Sequence, residues 1–281
     1  MMVEGRSTRI IKRVATYVGL AIALFWALAP IYWVVVTAFK SSKEIYGAVP
    51  TLFPMLPTLE NFDKALFRSE FPRFVFNSGY VAVIVTLISA VIGALAAYPI
   101  ARMRFKGQSV TARAIVLAYL LPPSLLFIPL FLVIQRMGLI DTKAGLIVAY
   151  LTFTVPFCTW MLIGYFKTIP KELDEAAVVD GANRFQVLTR VILPIATPGL
   201  AVVALFAFTN AWNEFLYAIV FVYSNDAKTL TTGLTGLMMG DTFIWGQLMA
   251  SSVIAIVPIL IIYIVAQKYI VEGLAAGSVK G

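Results

Sequence analysis

The sequence contains no histidine and only one cysteine, Cys158. A histidine-based zinc site, a histidine general base and a haem ligated by histidine are therefore excluded, as is an internal disulfide. Charge is scarce as well. Asp, Glu, Lys and Arg make up 13% of the 281 residues, against about a quarter in a soluble globular protein. No G-x-x-x-x-G-K-[ST] phosphate loop occurs anywhere, since Gly277-Ser278-Val279-Lys280 does not fit the pattern. If ATP drives this protein, another chain binds it. What the sequence has in abundance is apolar residues, at 60% with a mean hydropathy of +0.90. A water-soluble enzyme, a disordered chain and a nucleic-acid-binding domain do not fit that composition.

Stretches free of charged residues map six predicted membrane spans, at 14–39, 74–101, 114–135, 144–166, 191–213 and 242–267. The shortest has 22 residues, about 33 Å as a helix and enough to cross the hydrocarbon core. The first run is too long for a signal-peptide core and is expected to remain as a span. A further apolar run, 215–222, is too short to cross and reads as a continuation of the fifth helix or a short interfacial helix. The expected fold is all-α, a single transmembrane domain over 1–281.

Orientation follows from the basic residues. With the N-terminus inside, 14 of the 22 Lys and Arg fall on the inner side and 8 on the outer, while the acids divide 6 to 8. The whole net charge of +8 then lies inside, and both termini are expected to be cytoplasmic. The basic excess needs no nucleic acid.

The predicted spans hold Pro30, Pro99, Pro122, Pro123, Pro129, Pro156, Pro194, Pro198 and Pro258. Each removes a backbone donor, so each helix must break or be supported by its neighbours. Pro122-Pro123 is the strongest break, a hinge or a static kink. In the second span Ala90, Gly93, Ala94 and Ala97 form two small-xxx-small pairs, which predict a tight helix contact. No span carries an interior charge, which disfavours an ion-coupled carrier and a voltage sensor. Just past the fifth span, Asn210, Trp212, Asn213, Glu214 and Tyr217 gather two amides, a carboxylate, an indole and a phenol. That set suits contact with sugar hydroxyls and a sugar ring face, and equally suits an interfacial aromatic belt.

The loop between the fourth and fifth spans, 167–194, parses as two short helices. Pro170 suits a first turn, and Glu172, Asp174 and Glu175 complement the helix dipole. Asp180-Gly181 reads as a turn, and Asn183 with Gln186 as the cap of a second helix. Such a helix–turn–helix suits docking into a groove on a cytoplasmic partner.

Glu175-Ala176-Ala177, followed by Asp180-Gly181-Ala182 and Ile192-Leu193-Pro194, resembles the EAA motif of the membrane subunits of bacterial ABC importers. Trp212-Asn213-Glu214-Phe215 and the ending Glu272 to Gly281 resemble the carbohydrate branch, close to the smaller permease of maltose-type transporters. The resemblance covers essentially the whole chain. It implies a type I importer fold in a bacterial inner membrane. It also implies a second homologous permease, two copies of a cytoplasmic ATPase holding ATP and Mg, and an extracytoplasmic sugar-binding protein. No cofactor is expected in this chain. On this reading Glu175 is the polar contact to the ATPase, Ala176 and Ala177 pack against it, Gly181 fixes the angle between the two short helices, and Asp180 and Arg184 complete the ATPase-coupling set. The tail residues Gly277, Ser278, Lys280 and Gly281 are a second expected ATPase contact. The alternatives are a permease for a glycerol phosphate ester or a polyol, and a stand-alone channel or carrier. A membrane enzyme has little support, because no loop gathers a nucleophile, a base and a metal set.

Overall fold

The computed structural model describes residues 6–238 and 244–278, with side chains over 10–238 and 244–269. All regular structure among them is helical, and the chain divides into two compact units, 1–69 with 237–254, and 70–236 with 255–281.

In the first unit, helix α1 (Arg6–Ala38) is long and apolar enough to cross a membrane, and the side chains of its most apolar stretch are exposed. Asn61, on α3 (Glu60–Phe67), donates to the carbonyls of Ala38 and Lys40 at 2.9 and 2.8 Å, which satisfies acceptors left open at the end of α1. Between them, Ser41 caps α2 (Ser42–Ile45). Lys40 is buried, with its ammonium 4.7 Å from the centre of the Trp33 ring and donating to the Thr51 carbonyl.

The second unit is built on α4 (Phe71–Arg102) and α7 (Lys143–Thr168). Their contact is the tight one that the small residues predict, and it lies within this chain. Gly93 is buried, and a Cβ there would stand 3.0 Å from Cys158 Cβ and 3.3 Å from the Thr159 nitrogen. One turn away, the hydroxyls of Ser89 and Thr154 hydrogen-bond across the interface at 2.7 Å. Gly93→Val is therefore expected to force the helices apart, lowering stability by about 1–3 kcal/mol. Thermal unfolding of the detergent-solubilised protein would show this, and an unchanged midpoint would rule it out.

Two predicted spans are not straight. The stretch 114–135 is a pair of helices, α5 (Gln108–Leu120) and α6 (Pro123–Arg136), meeting at 95°. The break falls at Pro122-Pro123, as the prolines imply. Leu121 and Pro122 each precede a proline and take extended ψ values of 122° and 126°. Each half is about 20 Å long, too short to cross alone.

The stretch 191–213 is a correction. Its first residues belong to the preceding helix, α9 (Arg184–Ile195), which meets α10 (Thr197–Asn213) at 82°. Pro198 has no amide to give to Pro194, and the Thr197 hydroxyl takes that carbonyl at 2.8 Å. Pro194 likewise has none for Arg190, and the turns before it, 187–192, widen into a π-helix.

The apolar run 215–222 does not continue α10. The chain turns extended at Glu214 (ψ 130°) before the short α11 (Leu216–Phe221). Helix α12 (Leu230–Thr235) follows, and then α13 (Trp245–Ser278). The latter covers the sixth predicted span from Trp245 on; Ile244 precedes the helix, and 242 and 243 lie outside the described residues. With each bent pair taken as one, six spans result.

Candidate functional site

Helix α8 (Glu172–Val179) lies between α7 and α9. Gly181 ends it with φ +87°, its amide donating to Val178 O at 3.0 Å while the Ala182 amide donates to Ala177 O at 2.9 Å. These two bonds form a Schellman cap, which needs a left-handed residue at this position. Asn183 and Gln186 then form the expected capping box, with bonds of 2.9 and 3.0 Å. Val187, Leu188 and Ile192 of α9 are buried in one cluster with Ala97 of α4 and Leu162 of α7. The helical pair is thus seated on the ends of the membrane helices.

What fixes α8 itself is a buried ion pair. Arg102, at the end of α4, and Asp174 meet at 2.6 Å, with side chains 1% and 9% exposed. The guanidinium is a two-point donor to the carboxylate, through Nη2 at 2.6 Å and Nε at 3.1 Å. It also donates to the carbonyls of Phe166, Ile169 and Pro170 at 3.2, 2.7 and 2.9 Å. One side chain therefore ties α4, the end of α7 and α8 together. Charge-assisted, forked bonds of this kind fix orientation as well as position. Nothing local in the sequence marks this pair, since Asp174 reads as a dipole-complementing acid and Arg102 is simply one of the 14 inner-side basic residues.

The opposite face of α8 is open. Glu175, Ala176, Asp180, Gly181 and Arg184 are exposed and Ala177 is half-buried. The Glu175 carboxylate has no ion pair among the described residues. Beside them Val179 is 86% exposed and Phe185 64% exposed, two further residues that the motif did not single out. Exposed apolar side chains rimmed by charge mark an interaction surface.

The second residue group divides. Asn210, Asn213, Glu214 and Tyr217 line one cavity of about 440 Å³ with Pro123, Phe153 and Thr209. Trp212 is not among them. It is 3% exposed and stacks on Phe208 at 5.6 Å. Much of the polar equipment is already engaged in structure. The Glu214 carboxylate accepts the amides of Tyr217 and Ala218 at 2.9 and 3.1 Å, and so caps α11. Tyr217 donates its hydroxyl to Pro123 O at 2.9 Å and stacks on Phe153. The Asn210 and Asn213 amides donate back to their own helix. The buried Thr209 hydroxyl has no hydrogen-bond partner among the described residues.

The far end of α11 is held by Asp141, whose carboxylate accepts the amides of Tyr223 and Ser224. Burial pushes the Asp141 carboxyl up, but those amides, the Ser224 hydroxyl and the charge of Lys228 together outweigh it and hold it below the usual carboxylate value. Of the tail residues, Gly277 and Ser278 end helix α13 and Lys280 and Gly281 lie outside the described residues.

Up to six spans by length and composition, a cavity at a broken span and an exposed helical pair define a multi-pass membrane protein. The chain belongs to the family described as binding-protein-dependent transport system inner membrane component, whose model matches residues 89–275. It is 38% identical over 275 residues to the inner membrane ABC transporter permease protein YcjP of Escherichia coli (strain K12), covering 97% of this chain and 98% of that one. It is 36% identical over 276 residues to the trehalose/maltose transport system permease protein MalG of Thermococcus litoralis, covering 97% and 98%. In structure it is similar to a chain of a bacterial ABC transporter involved in the import of the acidic polysaccharide alginate. The TM-score is 0.78 at 25% identity, over 96% of this chain and all of that one. The fold is that of a type I ABC importer permease.

Proposed function

We propose that this chain forms half of the translocation pathway of an ATP-driven sugar importer. A second, homologous permease supplies the other half. Two copies of a cytoplasmic ATPase, which hold ATP and Mg, drive it, and an extracytoplasmic binding protein delivers the sugar. Both termini are cytoplasmic, in agreement with the charge count.

The observation that carries this reading is the pairing of an open face on α8 with a buried anchor behind it. A partner that pushes on Glu175, Ala176 and Val179 moves α8, and Arg102 passes the displacement to the ends of α4 and α7 through five hydrogen bonds. A rigid lever on two packed helices can bias an equilibrium between inward-open and outward-open states. The choice of sugar as cargo is supported by the trehalose/maltose relative and by the amides in the cavity. Gly277, Ser278, Lys280 and Gly281 would add a second contact to the ATPase.

The test is uptake into proteoliposomes that hold the chain with its partner permease and ATPase. With the binding protein present, a labelled sugar from a panel is expected to accumulate only when ATP is supplied. Uptake of a glycerol phosphate ester in place of every sugar would replace the cargo and keep the mechanism. Uptake by the chain alone would overturn the mechanism. Reporter fusions at residue 55 and at the C-terminus are expected to lie on opposite sides of the membrane, and the same side for both would overturn the topology.

A further inference from the structure

A groove of about 580 Å³ lies between α5 and α7 and shares no lining residue with the cavity at Glu214. Its walls are Val116 and Leu117 of α5 and Trp160, Met161 and Ile163 of α7, and Gly164 leaves its floor open. A Cβ at Gly164 would meet nothing within 4 Å. Tyr119 stacks on Trp160 at 5.9 Å. Two cations line the same groove, Arg113 and Lys167. Lys167 sits in the last turn of α7, where that helix leaves the apolar stretch. Both side chains are exposed, and neither forms an ion pair among the described residues.

We propose that this groove is a binding site for one anionic phospholipid of the inner leaflet. The headgroup phosphate lies between Arg113 and Lys167, and an acyl chain runs along Leu117, Trp160 and Gly164. Three features point to this occupant. The groove is apolar along its length and cationic at one end only, which is the polarity of a lipid and not that of a sugar. Arg113 directly precedes the predicted span 114–135 and Lys167 directly follows the predicted span 144–166, the level at which lipid phosphates sit and anionic lipid attracts basic side chains. The two cations also converge on one groove, whereas single Lys and Arg side chains that reach the interface on their own need no gap between helices. The inference depends on the inner-side placement of the basic residues and not on the identity of the cargo.

The test is native mass spectrometry of the full-length chain in detergent, titrated with phosphatidylglycerol or with phosphatidylcholine of the same acyl chains. The chain is expected to retain one phosphatidylglycerol in preference to phosphatidylcholine. The double variant R113Q/K167Q is expected to lose that preference, weakening phosphatidylglycerol retention by about 10- to 30-fold while leaving phosphatidylcholine unchanged. Gly164→Leu is expected to reduce retention of both lipids, since it fills the floor. Its side chain enters open space and the two cations are exposed, so all these variants should fold, which an unchanged thermal midpoint would verify. Equal retention of the two lipids by the wild-type chain would overturn the proposal. So would wild-type retention of phosphatidylglycerol by either variant. Loss of lipid on adding the partner permease would assign the groove to that subunit instead.

Discussion

Asp174→Ala is expected to abolish coupled transport and to lower the stability of the folded chain by about 3–5 kcal/mol. The substitution leaves the Arg102 guanidinium, 1% exposed, with no counter-charge. Removing one member of a buried pair costs far more than the pair contributes net, because the remaining charge stays desolvated. The three carbonyls of Phe166, Ile169 and Pro170 still hold the guanidinium, so α4 and α7 remain tied while α8 comes loose. Reversing the pair should not rescue it, since Arg102→Asp would aim a carboxylate at those same three carbonyls. Replacing both residues by apolar ones of similar size should recover only part of the stability, because the carbonyls of Phe166, Ile169 and Pro170 lose this donor, and none of the coupling. The measurements are thermal inactivation in detergent and sugar uptake set against ATP hydrolysis. A single variant with normal stability and normal uptake would remove the ion pair from the mechanism.

The spans were legible because charge is excluded from hydrocarbon whatever the helix axis does. Axis direction was not, because hydropathy is blind to it. The bend at Pro122-Pro123 could be read since two adjacent prolines leave no helical solution. The bend at Ala196 was missed, although Pro194 and Pro198 are four residues apart and remove donors from successive turns. The loop was read almost residue by residue, down to Gly181 and the Asn183–Gln186 cap, since its determinants are local. The ion pair was not, because Arg102 and Asp174 are 72 residues apart and each has an ordinary surface explanation. Trp212 is a different case. Asn210 and Asn213 share a face of α10, and the turn at Glu214, which helical spacing does not predict, brings Glu214 and Tyr217 to the same cavity. Position 212 falls off the face of Asn210 and Asn213, and helical spacing alone would have separated it from them.

Glu175→Lys and Gly181→Pro are expected to eliminate uptake while leaving membrane insertion intact, since neither residue lies in a span. Glu175 is exposed on the free face of α8, so reversing its charge disturbs only what docks there. A misplaced charge at a docked interface costs about 2–5 kcal/mol, more than a tenfold loss of affinity. Gly181→Pro acts through the backbone. The native φ is +87° and proline imposes about −65°. The amide that donates to Val178 O at 3.0 Å also disappears, and the Schellman cap goes with it. Helix α8 then leaves at a different angle, with its ion pair to α4 still available. The two variants should therefore fail differently. Glu175→Lys should lose the ATPase on purification in detergent, and added ATPase in excess should restore part of the uptake. Gly181→Pro should keep more of the ATPase but hydrolyse ATP without moving sugar, and excess ATPase should restore nothing. Normal uptake with normal ATPase retention in both variants would show that the force is transmitted somewhere other than this loop.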